Sequence, residues 1–191
     1  MEMTDGAGVL TQKNDYSVWA IPPEDVGERL KKLMGGLRSE FGGPEIFQPH
    51  ITVVGAMSLT EQEALEKFRS ACEGLKPYHA KAESVVAGAF PSQCLYSLFQ
   101  STPEVMDASA HCCRHFGYKR SNQYMPRLSL LYGTLTKEEK KAAQEKAYLL
   151  DESINGMDFQ VSRLALWITD REDKGNLETW KLIAECSLSP D

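Results

Sequence analysis

The chain contains no run approaching the roughly 18 consecutive apolar residues that a membrane-spanning helix needs. Its N-terminus lacks the basic-then-apolar order of a secretion signal. No membrane partner is therefore expected, and the expected address is cytoplasmic. There is no Gly-rich phosphate loop, no dinucleotide-binding fingerprint and no metal-ligand spacing. The five cysteines (Cys72, Cys94, Cys112, Cys113, Cys186) form no CxxC pair, so they read as structural or incidental thiols and not as a metal site, with their pairing left open. Neither a metal nor an organic cofactor is expected. A basic stripe is also missing, and the net charge of −6 would repel a long polyanion, which is normally gripped by many Lys and Arg contacts. Long nucleic acid is thus not an expected partner, whereas a small anion in a local pocket remains compatible with the charge.

Apolar residues make up 42% and charged residues 25% of 191 positions, the balance of a soluble globular chain. That length suits one compact unit or two small lobes of roughly 90 residues sharing a core. No Pro-, Gly- or Ser-rich linker separates two halves. The expectation is a tail over residues 1–13 followed by a single bilobal unit over 14–191.

The bilobal reading comes from internal self-similarity. The β-type run Tyr16–Ile21 leads into Pro22-Pro23-Glu24-Asp25-Val26, and Cys94–Phe99 leads into Thr102-Pro103-Glu104-Val105-Met106. A Pro followed by an acid suits the first turn of a helix, where a missing N–H costs nothing and a carboxylate meets the positive end of the dipole. Val26, Leu30, Leu33, Met34 and Leu37 recur at helical spacing before Gly42-Gly43-Pro44; Val105, Met106, Ala110 and Cys113 do so before Gly117. A proline-led strand follows each: Pro49-His50-Ile51-Thr52-Val53-Val54-Gly55 and Pro126-Arg127-Leu128-Ser129-Leu130-Leu131-Tyr132-Gly133. Thr60 with Glu63, and Thr136 with Glu139, then have the spacing of capping boxes. Further strands are expected over Glu83–Phe90, Phe159–Thr169 and Thr179–Leu188. The mixture of Lys and Glu from Lys137 to Lys146 reads as a solvated helix face, and Asp170 to Lys174 as a charged loop. The fold class is α+β: two antiparallel sheets, related by a pseudo-twofold, lining a central cleft with helices outside.

Alternate residues of a strand share a face, so His50 goes with Thr52 and Arg127 with Ser129. Each repeated strand then presents one basic side chain and one hydroxyl, and twofold symmetry brings all four together as an anion site. A histidine alone is more often structural. The recurrence at equivalent positions, directly after proline and within apolar strands, is what favours a site.

A strand reading Pro-His-hydrophobic-Thr-hydrophobic, repeated in a second half, resembles the 2H phosphoesterase superfamily, defined by two His-x-Thr/Ser motifs. The runs Tyr16-Ser17-Val18-Trp19-Ala20, Leu37-Arg38-Ser39-Glu40-Phe41, Tyr124-Met125-Pro126, Leu128–Tyr132 and Leu177-Glu178-Thr179-Trp180 are similar to the plant cyclic phosphodiesterases. The likeness covers nearly the whole chain after residue 14. It implies a metal-independent hydrolase, monomeric, acting on ADP-ribose 1″,2″-cyclic phosphate, a by-product of tRNA splicing, and on nucleoside 2′,3′-cyclic phosphates. It implies His50 as a catalytic residue and Thr52 and Ser129 as phosphate ligands; Trp19 and Tyr132, aromatics near the motifs, are candidates to line the cleft or to pack in the core. Arg127 departs from the pattern, standing where the family has its second catalytic histidine.

Two imidazoles can divide the roles of general base and general acid near neutral pH. A guanidinium, charged at all accessible pH, can do neither, but it can hold phosphate with its planar fork. Impaired turnover with retained affinity is the expectation. His111 and His115, on the helix before the second motif, are the side chains that would restore a second imidazole if they reached the cleft; His79 lies in a polar stretch and is expected to be exposed. A non-catalytic receptor for cyclic phosphates and the processing of 2′,3′-cyclic RNA ends, as in the RNA 2′,5′ ligase branch of the superfamily, are the alternatives, the second opposed by the acidic charge.

Overall fold

The computed structural model describes residues 12–46, 48–169 and 180–190. Strand β1 (Lys13–Ala20) is followed by α1 (Glu24–Phe41), β2 (Ile51–Thr60), α2 (Glu61–Glu73), β3 (Tyr78–Ala87), β4 (Leu95–Phe99), α3 (Pro103–Phe116), β5 (Arg127–Leu131), α4 (Lys137–Leu150), β6 (Asp158–Val161), β7 (Arg163–Ile168) and β8 (Lys181–Ser187). Short 3₁₀ turns span Pro91–Gln93 and Ile154–Gly156. None of these helices is long and apolar enough to cross a membrane.

The helix ends are built as the sequence signals them. Thr60 and Thr136 each close a complete capping box, with Glu63 and Glu139. Pro103 opens α3 behind the Thr102 cap, and Gly117 ends that helix with φ 66°, a conformation a side chain would strain. Glu24 and Asp25 supply negative charge in the first turn of α1. The buried face of α3 runs through Val105, Ala108, Ser109, Cys112, Cys113 and Phe116, so Ala110 is exposed and Met106 only half-buried, contrary to expectation. The smaller Ala108 and Ser109 take the inner positions because the helix lies close against β2, where Ser109 Oγ donates to the Val53 carbonyl over 2.7 Å.

All strands pair antiparallel, in the order β6-β3-β4-β5-β2-β1-β7-β8. The order divides into a half made of β2, β1, β7 and β8 and a half made of β6, β3, β4 and β5, joined where Ile51 of β2 pairs with Leu128 of β5. The first helix of each repeat covers the strand of the other repeat: α1 packs on β5, and α3 on β2. One apolar cluster accordingly runs through both halves, from Tyr16, Leu30 and Phe68 to Phe99, Leu128 and Leu164.

Several strand boundaries differ from expectation, among them β2, which runs on to Thr60. β3 begins at Tyr78 and ends at Ala87, because its polar first residues pair with β6 and because Gly88 turns the chain where a Cβ would collide with the Gln93 carbonyl oxygen. The strand expected over Phe159–Thr169 is two strands, since β6 pairs with β3 and β7 with β1, and the chain passes between the halves at Ser162. The last strand begins at Lys181. Of the expected tail, residues 1–11 lie outside the described residues and Lys13 opens β1; the charged loop at 170–174 also lies outside them.

Cys72, at the end of α2, is bridged to Cys186 in β8, while Cys94, Cys112 and Cys113 are buried thiols. The bridge closes a loop with a sequence separation of 114 and ties the edge strand β8 to a helix. Constraining so long a loop in the unfolded chain is worth about 4–5 kcal/mol on chain entropy alone. We predict that reduction, or Cys72→Ser, lowers the unfolding free energy by about that amount. Denaturant titrations with and without reductant check this, and coincident curves would show that the bridge does not form in solution.

Candidate functional site

The alternation of β2 and β5 separates core from cleft. Ile51, Val53, Leu128 and Leu130 are buried in the apolar cluster. His50, Thr52, Arg127 and Ser129, on the opposite face, line one cleft of about 500 Å³ together with Trp19 and Tyr132. Because Ile51 pairs with Leu128, antiparallel geometry sets Thr52 across from Arg127 and His50 across from Ser129. The structure thus brings all six sequence-named residues to one place.

His50 is only 6% exposed. Its ring lies flat on the Trp19 indole, with centroids 3.4 Å apart and planes inclined by 4°, and Trp19 stacks in turn on Trp167 at 4.5 Å. His50 Nδ1 is 2.7 Å from the Gln48 carbonyl oxygen. A carbonyl can only accept, so Nδ1 carries the proton and the lone pair resides on Nε2. Burial disfavours the imidazolium and lowers the pKa from 6.5 to about 4, against a smaller opposing effect of the Gln48 hydrogen bond. The ring is therefore a neutral, oriented base at physiological pH.

Arg127 is held differently. Its Nη1 donates to Gln93 Oε1 over 2.7 Å, its Nη2 lies 3.3 Å from Met125 Sδ, and the guanidinium sits 4.9 Å from the centre of the Tyr96 ring. Its Nε is buried without a hydrogen-bond partner among the described residues. None of these neighbours carries negative charge. Gln93 reaches it from the 3₁₀ turn that the close approach at Gly88 permits. On the far wall, Tyr124 donates to the Thr52 carbonyl over 2.8 Å and fixes the strand that carries the hydroxyl. Burial raises the pKa of that phenol, which keeps it a donor. Gly43, at φ 94°, brings the turn after α1 so close to the Tyr132 carbonyl that a Cβ there would collide with its oxygen. Ser17 and Thr169, their hydroxyls 2.9 Å apart, complete the floor.

No aspartate or glutamate lines the cleft among the described residues, whereas Arg120 and Arg127 both do. In a chain of net charge −6 this is a local reversal of sign, suited to a small anion. His111 and His115 do not reach it: they face α2, where His111 Nε2 meets the Ala71 carbonyl oxygen at 2.7 Å and His115 Nδ1 meets Ser70 Oγ at 2.9 Å. His79 is exposed on β3. Among the described residues no group of His, Cys, Asp or Glu is placed to hold a metal ion. Gln93, Tyr96, Arg120, Trp167 and Trp180 are cleft or supporting residues that sequence reading missed; they sit outside the two motifs, and nothing in their spacing marks them.

Known proteins resemble this chain in sequence and in fold. Residues 15–188 match the model of a family described as cyclic phosphodiesterase-like protein. A cyclic phosphodiesterase of Arabidopsis thaliana is 54% identical over 179 residues, covering 94% of this chain and 98% of the relative. Among solved structures, E. coli LigT complexed with 3′-AMP aligns with a TM-score of 0.61 at 8% identity, covering 92% of this chain and 98% of its own. The protein TT0787 of Thermus thermophilus aligns with a TM-score of 0.59 at 13% identity, covering 91% and 97%. At these identities the structural likenesses speak for the fold alone, the two-lobed α+β architecture that this chain shares with LigT.

We predict a stability consequence of the neutral His50. The unfolded chain takes up a proton near pH 6.5, while the folded chain resists until about pH 4. Lowering the pH through that window therefore favours unfolding, by on the order of 3 kcal/mol in full. Urea unfolding of the chain and of His50→Gln from pH 7 to pH 4 isolates the effect as a difference in slope; parallel pH profiles would show that His50 titrates normally.

Proposed function

The chain belongs to the cyclic phosphodiesterase-like protein family, and from that premise we propose that it binds nucleoside 2′,3′-cyclic phosphates and ADP-ribose 1″,2″-cyclic phosphate as a monomer. We infer that it opens their rings by metal-independent hydrolysis at a reduced rate. The observation that carries the reading is the convergence of His50, Thr52, Arg127 and Ser129 on one cleft that has no carboxylate among the described residues. The identity to a named cyclic phosphodiesterase supports hydrolysis as the reaction class.

In this mechanism Thr52, Ser129 and the Arg127 fork hold the phosphate oxygens. Arg127 offsets the charge that accumulates on them as water adds to phosphorus. His50 Nε2 takes the proton of that water. The P–O bond to one ribose oxygen breaks, giving a phosphomonoester, and the departing oxygen draws its proton from solvent because Arg127 has none to give at accessible pH. The imidazolium of His50 then returns its proton to solvent. The stacked indole and the Gln48 carbonyl keep the ring aimed throughout, and burial discourages premature protonation.

The replacement at position 127 also favours a second reading, binding without turnover. The same experiment separates the two. We predict that Arg127→His raises kcat for a 2′,3′-cyclic nucleotide about a hundredfold or more, with affinity changed several-fold at most. We also predict that His50→Ala abolishes the slower hydrolysis of the unsubstituted chain. Hydrolysis assays beside calorimetry check this. Binding with no measurable turnover in the unsubstituted chain selects the receptor reading, fast turnover in that chain rules out a two-imidazole requirement, and absence of binding in both chains refutes the phosphoesterase reading.

A further inference from the structure

Beyond the residues that face the reacting phosphate, the cleft holds a second guanidinium that the mechanism does not use. Arg120 lies on the segment after α3. Its Nη2 donates to the Val53 carbonyl and to Ser109 Oγ, at 2.5 and 2.6 Å, and its guanidinium carbon sits 4.4 Å from the centre of the Tyr124 ring and 5.6 Å from that of Tyr118. Two acceptors and two aromatic faces hold the group in one orientation. No carboxylate pairs with it among the described residues. Anchoring uses one nitrogen, and the rest of the five guanidinium donors have no protein partner among the described residues.

We propose that Arg120 is a second anion-binding group, which selects ligands carrying a further phosphate remote from the one His50 attacks; this rests on the cyclic-phosphate reading of the same cleft. Three observations point there. A half-buried cation without a counter-ion is costly, and the cost is recovered when the ligand supplies the charge. The fork is already immobilised, so little side-chain entropy is lost on binding. Its anchor is the Val53 carbonyl, one residue along β2 from Thr52, which faces Arg127, and Gly55 and Ala56 continue the cleft wall beyond it. One phosphodiester supplies a single negative charge, which leaves one of the two arginines uncompensated; a ligand with a second phosphate group satisfies both.

The test uses ligands that ring opening cannot consume. Adenosine 2′-monophosphate and adenosine 2′,5′-bisphosphate are titrated calorimetrically into the unsubstituted chain, Arg120→Gln and Arg120→Lys at low ionic strength. Glutamine keeps a donor for Val53 and Ser109 while removing the charge. The unsubstituted chain should bind the bisphosphate about tenfold or more tightly than the monophosphate, as expected for charge-assisted hydrogen bonds. In Arg120→Gln that preference should fall below about threefold with monophosphate affinity nearly unchanged, and Arg120→Lys should retain part of it. An unsubstituted chain that does not discriminate overturns the proposal, as does an Arg120→Gln variant that keeps the preference or weakens both ligands equally, the result of a mere brace. Should Arg120→Gln fail to fold, the unsubstituted chain and Arg120→Lys still decide. Monophosphate binding without discrimination sinks this inference alone, whereas no binding of either ligand sinks the cyclic-phosphate reading with it.

Discussion

The pairing of Ile51 with Leu128 is the constraint on which the rest depends. Both side chains are buried in the common core, and the pleat leaves their neighbours no choice of face. A slip of one residue in either strand would drive a guanidinium or an imidazole into the apolar cluster and put isoleucine or leucine into the cleft. The hydrophobic pattern that fixes the register thus also fixes the chemistry. The exchange of helices across the halves, α1 on β5 and α3 on β2, reinforces it, because neither half can move away without uncovering the other's strand.

The cleft combines two opposite electrostatic solutions. His50 is stripped of water and held neutral by burial, while Arg120 and Arg127 have aromatic rings, an amide, a hydroxyl and a carbonyl oxygen for neighbours. The first arrangement preserves a proton acceptor. The second preserves attraction for an anion without a carboxylate to compete for it. Each would be an expense in a site that bound nothing, and together they describe a place where negative charge arrives from outside.

The repeat, the capping boxes and the strand alternation were legible because they rest on short-range rules: Thr60 to Glu63, Thr136 to Glu139, and polar residues at every second position around Ile51 and Leu128. Those rules were enough to bring six residues to one cleft. What the sequence left obscure depends on distant partners. The bridge from Cys72 to Cys186 and the passage between the two halves of the sheet at Ser162 are set by which strand meets which. The surroundings of Arg127 come from Gln93 and Tyr96, in a turn and strand that carry no motif. The expected place of the helices outside the sheets argued against His111 and His115 reaching the cleft, and the contacts with Ala71 and Ser70 account for where both rings lie.

The chain has three tryptophans, and all of them gather at this one place: Trp19 beneath His50, Trp167 beneath Trp19, and Trp180 at 5.7 Å from Trp19. Nearly all the ultraviolet emission of the folded protein therefore originates beside the base. An imidazole that gains a proton against an indole face alters that emission, and so does a ligand that displaces water from the rim. The molecule carries its own optical gauge of cleft occupancy, readable without any label.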